Sequence, residues 1–232
     1  MNIEIFEFVE GAQKAKGAVV IIDVFRAFSV ACYAFDAGAS QYIAVGEANE
    51  AFELQKKYSK SVLVGERDEK KIVGFDFGNS PTEILKTDLN GCTVIHCTTA
   101  GTNGLVNAGN ADILLTGSFV NAAAVVRYIR FMNPENVSLV AMGYRAKLSA
   151  DEDLLCARLI SDRLNSKGNE NEFANQISGL RKGSGSRFFN PENIEFSPPT
   201  DFFLCTMVDR FDFILKAEHR LDGHISLIKT EI

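Results

Sequence analysis

The sequence predicts an α/β fold, with three α/β/α layers around a largely parallel or mixed sheet and an antiparallel addition toward the C-terminus. Three observations carry that expectation. Apolar runs of strand length alternate with segments of helical period from Ala18 onward. The runs are continuous in Val, Ile and Leu rather than alternating with polar residues, as in strands covered on both faces. After Ser197-Pro198-Pro199 the apolar runs crowd together without helical partners between them.

The elements follow in order. Ala18 to Ile22 reads as a strand, and the small and aromatic residues at helical spacing from Ala27 to Ala37 as the helix after it. The pairing repeats in Gln41 to Val45 with Ala48 to Tyr58, Thr93 to Cys97 with Thr102 to Ala108, and Asp112 to Thr116 with Phe119 to Met132. Val137 to Met142 and Asp151 to Leu164 complete it. Residues 165–193 break the rhythm with a polar, glycine-rich surface excursion, placed to fold over the rim of the sheet. Phe202 to Met207, Phe211 to Leu215 and His224 to Ile228 read as closing strands, a meander or an edge hairpin. We take 1–232 as a single domain.

Composition narrows the function. With 46% hydrophobic residues the chain is an ordinary globular protein, far from the disordered class. A net charge of -6 argues against a nucleic-acid partner, which needs a dense basic face, but leaves room for a small anion held by local donors. No apolar stretch reaches the roughly 18 to 20 residues of a membrane span, and Met1-Asn2-Ile3-Glu4 does not open a signal peptide, so a cytoplasmic protein without membrane contact is expected. Five cysteines without CxxC spacing read as reduced, buried thiols. A homodimer is one expectation from base rates for soluble enzymes.

Four loops share a vocabulary of acids, hydroxyls, arginines and glycines. They are Asp23 to Arg26, Gly65 to Pro81, Thr98 to Gly104 and Ser149 to Asp153, and in a sheet of this kind they point to one pocket beyond strand C-termini. Asp23 directly follows an apolar run, so it is partly buried and needs a cation or a donor. Arg26 and Arg67 suit bidentate oxyanion binding or a plain salt bridge. Thr98 to Gly104 offers three threonines, two glycines and a helix start, an anion loop or a tight turn. Ser80-Pro81-Thr82-Glu83 and Ser149-Ala150-Asp151-Glu152 both have capping-box spacing. Asp151, Glu152 and Asp153 read either as a solvated acidic first turn or as part of an oxygen-rich Mg²⁺ site. The sixth residue after Cys97 is Asn103, not the arginine of cysteine phosphatases, so Cys97 reads as a strand residue.

At these residues the chain resembles the 2-phosphosulfolactate phosphatases, Mg²⁺-dependent acid phosphatases of the coenzyme M pathway. The resemblance covers nearly the whole chain. It rests on Val20 to Ala27, Gly65-Glu66-Arg67, Gly74-Phe75-Asp76-Phe77-Gly78-Asn79-Ser80-Pro81, the Thr98 to Gly104 loop, Gly117 to Ala122 and Glu152 to Ala157. Two departures stand out: Thr98-Thr99-Ala100-Gly101-Thr102 lacks the expected Asn-Gly-Thr, and Phe28 replaces a common threonine.

The resemblance implies a metal-assisted phosphomonoesterase for a small phosphorylated acid, 2-phospho-3-sulfolactate in the family itself. The expected Mg²⁺ ligands come from Glu66, Asp76, Glu152 and Asp153. Asp23 is expected as nucleophile or as the base that orients water, with Arg26 and Asp76 beside it. Arg67, Asn79, Ser80, Thr98, Thr99, Gly101, Thr102 and Ser118 are the expected substrate contacts. Two alternatives stay open, a non-catalytic organic-anion binder and a phosphatase that uses Cys97.

Overall fold

The computed structural model describes residues 1–232. The chain opens with β1 (Asn2–Glu7), α1 (Phe8–Lys14), β2 (Gly17–Ile22), α2 (Ala27–Asp36), β3 (Gln41–Val45) and α3 (Ala48–Gln55). Then come β4 (Ser61–Arg67), β5 (Lys70–Lys71), α4 (Pro81–Ile84), β6 (Thr93–Cys97), α5 (Gly101–Asn107), β7 (Ala111–Gly117) and α6 (Ala122–Met132). It closes with β8 (Asn136–Ala141), α7 (Asp151–Leu164), α8 (Glu170–Gly179), α9 (Pro199–Cys205), β9 (Phe213–His219) and β10 (Ile225–Glu231).

All ten strands form one mixed sheet in the order β1-β8-β2-β7-β9-β10-β3-β6-β4-β5. Helices cover both faces, giving the three-layer α/β/α arrangement. Along β2 the side chains alternate between two cores, Val19 and Ile21 entering one, and Ala18, Val20 and Ile22 the other. Helices α2 and α5 pack in the first core, α6 and α7 in the second.

The sheet has two parallel groups, β1-β8-β2-β7 and β3-β6-β4. The β9–β10 hairpin lies between them and is antiparallel to both neighbours. This corrects the expectation of an edge hairpin. Phe213 and Leu215 enter one core and Ile214 the other, and a strand covered on both faces belongs inside a sheet.

Three antiparallel steps make the two parallel groups run in opposite senses. Loops at the C-terminal ends of β2, β4, β6 and β8 nevertheless line one pocket. Sheet twist reconciles the two facts, since ~20–25° per step accumulates to roughly 100° over the five steps from β2 to β6. A Cβ at Gly104 of α5 would stand 2.7 Å from Ile21 of β2, a measure of how closely the groups approach.

Other expectations change locally. Phe202 to Met207 forms the end of α9 and the turn after it, not a strand, because Pro199 occupies the first turn with Asp201, and Phe202 and Cys205 share the buried face. The 165–193 excursion contains α8, capped by the Asn169 side chain, followed by 3₁₀ turns. Strands β1, β4 and β5 have no counterpart among the sequence expectations.

Candidate active site

The pocket at the convergence of these loops occupies about 510 Å³, counting its open mouth. Asp23, at the end of β2, lies on its floor with 6% exposure. Its Oδ1 accepts the Ala27 N–H at 3.1 Å, which leaves Oδ2 as the oxygen not tied to the backbone. Gly101 keeps that oxygen clear, since a Cβ there would sit 2.9 Å from Oδ2. Burial first, then the charges of Glu66 and Glu152, push the Asp23 carboxyl up to about 6 against the Ala27 hydrogen bond.

Two further acids bind the loops together. Glu66 accepts Thr99 N–H on Oε1 and Glu69 N–H on Oε2, each at 2.8 Å. Asp153 accepts Val24 N–H at 2.8 Å and Gly143 N–H at 2.9 Å, joining the ends of β2 and β8 to the start of α7. Burial and the neighbouring charges of Glu152 and Asp23 hold the Asp153 carboxyl well above the usual range. Glu152 differs from both. Its Oε2 is buried and makes no hydrogen bond of normal geometry, and burial raises its pKa against the nearby Ser184 hydroxyl and the Arg187 charge. The expected capping box does not form, because α7 starts after Ala150 and the Ser149 hydroxyl instead donates to Glu7.

Arg26 is 3% exposed and gives Nη1 to Asp201 at 2.6 Å and to the Phe196 carbonyl at 2.7 Å. The other Asp201 oxygen accepts the Ser80 hydroxyl at 2.8 Å, the Thr82 N–H at 3.0 Å and the Thr82 hydroxyl at 2.6 Å. Asp201 therefore fastens Arg26 to the start of α4. Ser80 caps that helix, and Glu83 reaches past it to the Gly78 N–H.

Asn79 lines the pocket at the end of a buried polar chain. Its Oδ1 lies 3.1 Å from His96 Nε2, and His96 Nδ1 lies 2.6 Å from the Tyr42 hydroxyl. Burial lowers the His96 pKa to about 3, so the ring is neutral. A neutral ring that donates from Nε2 to Asn79 must accept from Tyr42 at Nδ1. The Asn79 NH₂ is left to the pocket.

Among the threonines, Thr98 and Thr102 spend their hydroxyls on each other and on the backbone of the same turn. Thr99 lines the pocket with a buried hydroxyl that has no partner.

The structure thus brings Asp23, Arg26, Glu66, Asn79, Thr98, Thr99, Glu152 and Asp153 to one pocket. Others stand apart. Asp76 is exposed and accepts the Leu63 N–H at 2.8 Å, which places it at the β4 side of its loop rather than among the pocket acids. Arg67 turns toward Glu47 and the Gly46 carbonyl. Ser118 is fully buried, 2.6 Å from the Ser29 hydroxyl. Ser80, Gly101 and Thr102 support lining residues without lining the pocket themselves. Cys97 points its sulfur at the Gly46 carbonyl, and burial pushes the thiol up to about 11.

Sequence reasoning missed Arg187, Arg145, Tyr144 and Glu69, which complete the wall. The glycines and serines before Arg187 signalled a loop but not where its side chain lands. Five lining carboxyl groups, Asp23, Glu66, Glu69, Glu152 and Asp153, face three guanidinium groups, Arg26, Arg145 and Arg187, and burial raises three of the five, Asp23, Glu152 and Asp153, above the usual carboxylate range. The donor set is all oxygen, and with the buried Glu152 Oε2 it fits a hard cation such as Mg²⁺. No three acid, thiol or imidazole groups form a ready cage.

Comparison with known proteins places the chain in a family. The family profile described as 2-phosphosulpholactate phosphatase matches residues 5–182. A protein of Caldanaerobacter subterraneus, named probable 2-phosphosulfolactate phosphatase, is 34% identical over 216 residues, 87% of this chain and 88% of its own. One of Bacillus subtilis with the same name is 32% identical over 217 residues, 92% of this chain and 91% of its own. A profile spanning most of the chain and relatives matched almost end to end make the conclusion direct: the chain belongs to the 2-phosphosulpholactate phosphatase family.

Proposed function

We propose that this protein is a Mg²⁺-assisted phosphomonoesterase that hydrolyses 2-phospho-3-sulfolactate, or a closely similar phosphorylated acid, to the free hydroxy acid and phosphate. One observation carries the reading: five carboxyl groups meet three guanidinium groups in the pocket, with the Oε2 of Glu152 in no hydrogen bond of normal geometry. In the metal-free protein burial favours the protonated forms of Asp23, Glu152 and Asp153, and a cation at the Glu152 oxygen would favour their ionised forms and offset the charge an anionic ester meets. Glu152 is the residue that would hold Mg²⁺, and the bound ion would supply charge neutralisation at the phosphoryl oxygens.

The protein's own groups do the remainder. Asn79 NH₂ and the Thr99 hydroxyl donate to phosphoryl oxygens, and Arg26, held by Asp201, adds positive charge at the same end. Asp23 Oδ2 orients a water and takes its proton as the water oxygen bonds to phosphorus. The ester P–O bond breaks with its electron pair going to the substrate oxygen, which takes a proton from solvent water and leaves as the alcohol, while Asp23 returns its proton to solvent. A carboxyl raised to about 6 suits a base that exchanges protons near neutrality better than a nucleophile. Glu66 and Asp153 act at one remove by fixing the Thr99, Val24 and Gly143 backbones. Five free buried cysteines favour a cytoplasmic setting for this chemistry.

The test is phosphate release from a panel of small phosphoesters, with Mg²⁺ and with excess EDTA, for the wild type and Cys97→Ser. The reading expects release that needs Mg²⁺ and survives the cysteine substitution. Release that persists in EDTA and disappears in Cys97→Ser would transfer the chemistry to the thiol.

A further inference from the structure

The turn that carries Asp23 is held by side chains where a strand or helix would use its own backbone. Strand β2 ends at Ile22 and α2 begins at Ala27, so residues 23–26 lie between the two. Val24 is fully buried in this gap, and neither of its polar backbone groups has a backbone partner. Its N–H goes to Asp153 and its carbonyl accepts the Ser29 hydroxyl, each at 2.8 Å. A buried carbonyl left unmet is costly, so the turn keeps this conformation while Ser29 donates to it.

The direction of that bond is set one residue further back. The Ser29 and Ser118 hydroxyl oxygens are 2.6 Å apart, and both side chains are fully buried. A serine hydroxyl has one proton, and that of Ser29 goes to Val24, so Ser118 is the donor of the pair. Ser118 in turn accepts the Asn121 N–H as the cap of the turn that leads into α6. The result is a one-way chain from the Asn121 N–H through Ser118 and Ser29 to the Val24 carbonyl. Ser118 also directly follows Gly117, whose carbonyl accepts the Asp23 N–H at 3.3 Å. The end of β7 therefore grips the turn at two points.

On one side of Val24 stands Asp23, and on the other Phe25 and Arg26, all three lining the pocket. The Val24–Phe25 peptide is thus the pivot between the carboxyl group that takes the water proton and the guanidinium beside it. We propose that Ser29, oriented by Ser118, is a positioning residue for the reaction, holding that pivot so that Asp23 and Arg26 keep their spacing. Ser29 does not line the pocket and touches no substrate. The inference rests on the phosphatase reading for the role of Asp23.

The two serines separate position from stability. Ser29→Ala strips the Val24 carbonyl of its partner. Ser118→Ala leaves the Ser29 bond to Val24 in place and removes a cap instead. A merely structural pair would lose activity in the order in which it loses stability.

The experiment is steady-state phosphate release, thermal melting and amide hydrogen exchange by NMR for wild type, Ser29→Ala, Ser118→Ala, and Ser29→Ala in an Asp23→Asn background. Ser29→Ala should lower kcat by about tenfold with KM changed by less than about twofold. Ser118→Ala should lower kcat by no more than about threefold, although its melting midpoint falls at least as far. Without the Asp23 carboxylate, Ser29→Ala should cost less than about a further twofold, because its effect passes through that group. The Ala27 amide, which reports the Asp23 Oδ1 contact independently of turnover, should exchange at least about tenfold faster in Ser29→Ala.

Activity losses that follow the melting order, a Ser29 effect that persists in full without Asp23, or an unchanged Ala27 amide overturns the proposal. If the wild type releases no phosphate and Ser29→Ala still exposes the Ala27 amide, the positioning role stands and the phosphatase reading falls. If the wild type turns over and Ser29→Ala keeps its kcat, the reading stands and the positioning role falls.

Discussion

Arg26 and Asp201 meet at 2.6 Å across 175 residues of sequence, with 3% and 0% of their side chains exposed. The pair ties the loop after β2 to α9, and through Ser80 and Thr82 to the start of α4. Asp201→Ala leaves a buried guanidinium unpaired and should cost about 3–5 kcal/mol. In a chain of this length the melting midpoint should drop on the order of 10 °C by calorimetry. A drop of only a degree or two would show that the pair is dispensable.

Gly101 and Asp23 are matched in shape. Gly101→Ala places a methyl group 2.9 Å from both Asp23 Oδ2 and the Ala27 Cβ. The carboxylate must move, and kcat should fall by about tenfold or more with KM less affected. Steady-state kinetics with unchanged kcat would mean that Oδ2 is not the working oxygen.

The buried chain from Tyr42 through His96 to Asn79 sets which way the Asn79 amide faces. Tyr42→Phe removes the donor to His96 Nδ1 and frees the neutral ring to change tautomer. The expected result is a stability loss of about 1–3 kcal/mol and a rise in KM, since the Asn79 NH₂ is no longer held toward the pocket. Urea unfolding and kinetics on the same preparation check both. Stability loss with unaltered KM would confine the chain to a structural role.

The folded chain holds a proton on Asp23 up to about pH 6, whereas an unperturbed aspartate releases it near 3.8. Between those values the folded state binds more protons than the unfolded state, so stability falls as pH rises through the window. The contribution is about 3 kcal/mol at ~1.36 kcal/mol per pH unit, and the loss is complete above the upper value. Asp23→Asn should therefore raise the midpoint at pH 7.5 in EDTA and leave it unchanged at pH 3.5. An equal shift at both pH values contradicts the assignment.

The parallel strands and their helices were legible because Val20 to Ile22, Val94 and Ile95, and Leu139 and Val140 are buried on both faces and carry no polar alternation. The centre of the sheet was not. Nothing local in Phe213 to Leu215 distinguishes an edge hairpin from one that joins two parallel groups, because that choice depends on which faces distant helices cover. Phe202 to Met207 looked like a strand by apolar content, and the helix-starting proline at Pro199 decided otherwise. In the site, Asp23, Glu66, Glu152 and Asp153 were legible as acids at strand ends or helix starts. Arg187 and Asp201 reach the pocket region only through the fold of the polar excursion and α9, so no spacing could announce them. Asp76 shared its motif with Asn79, yet the turn directs its carboxylate to Leu63.

The most direct measurement is phosphate release from 2-phospho-3-sulfolactate at saturating Mg²⁺ by wild type and Asp23→Asn, with circular dichroism to confirm that both are folded. The account predicts a wild-type activity lost on chelation and a kcat lower by about 10²–10⁴ in the variant. A folded Asp23→Asn that turns over at near wild-type rate would contradict it.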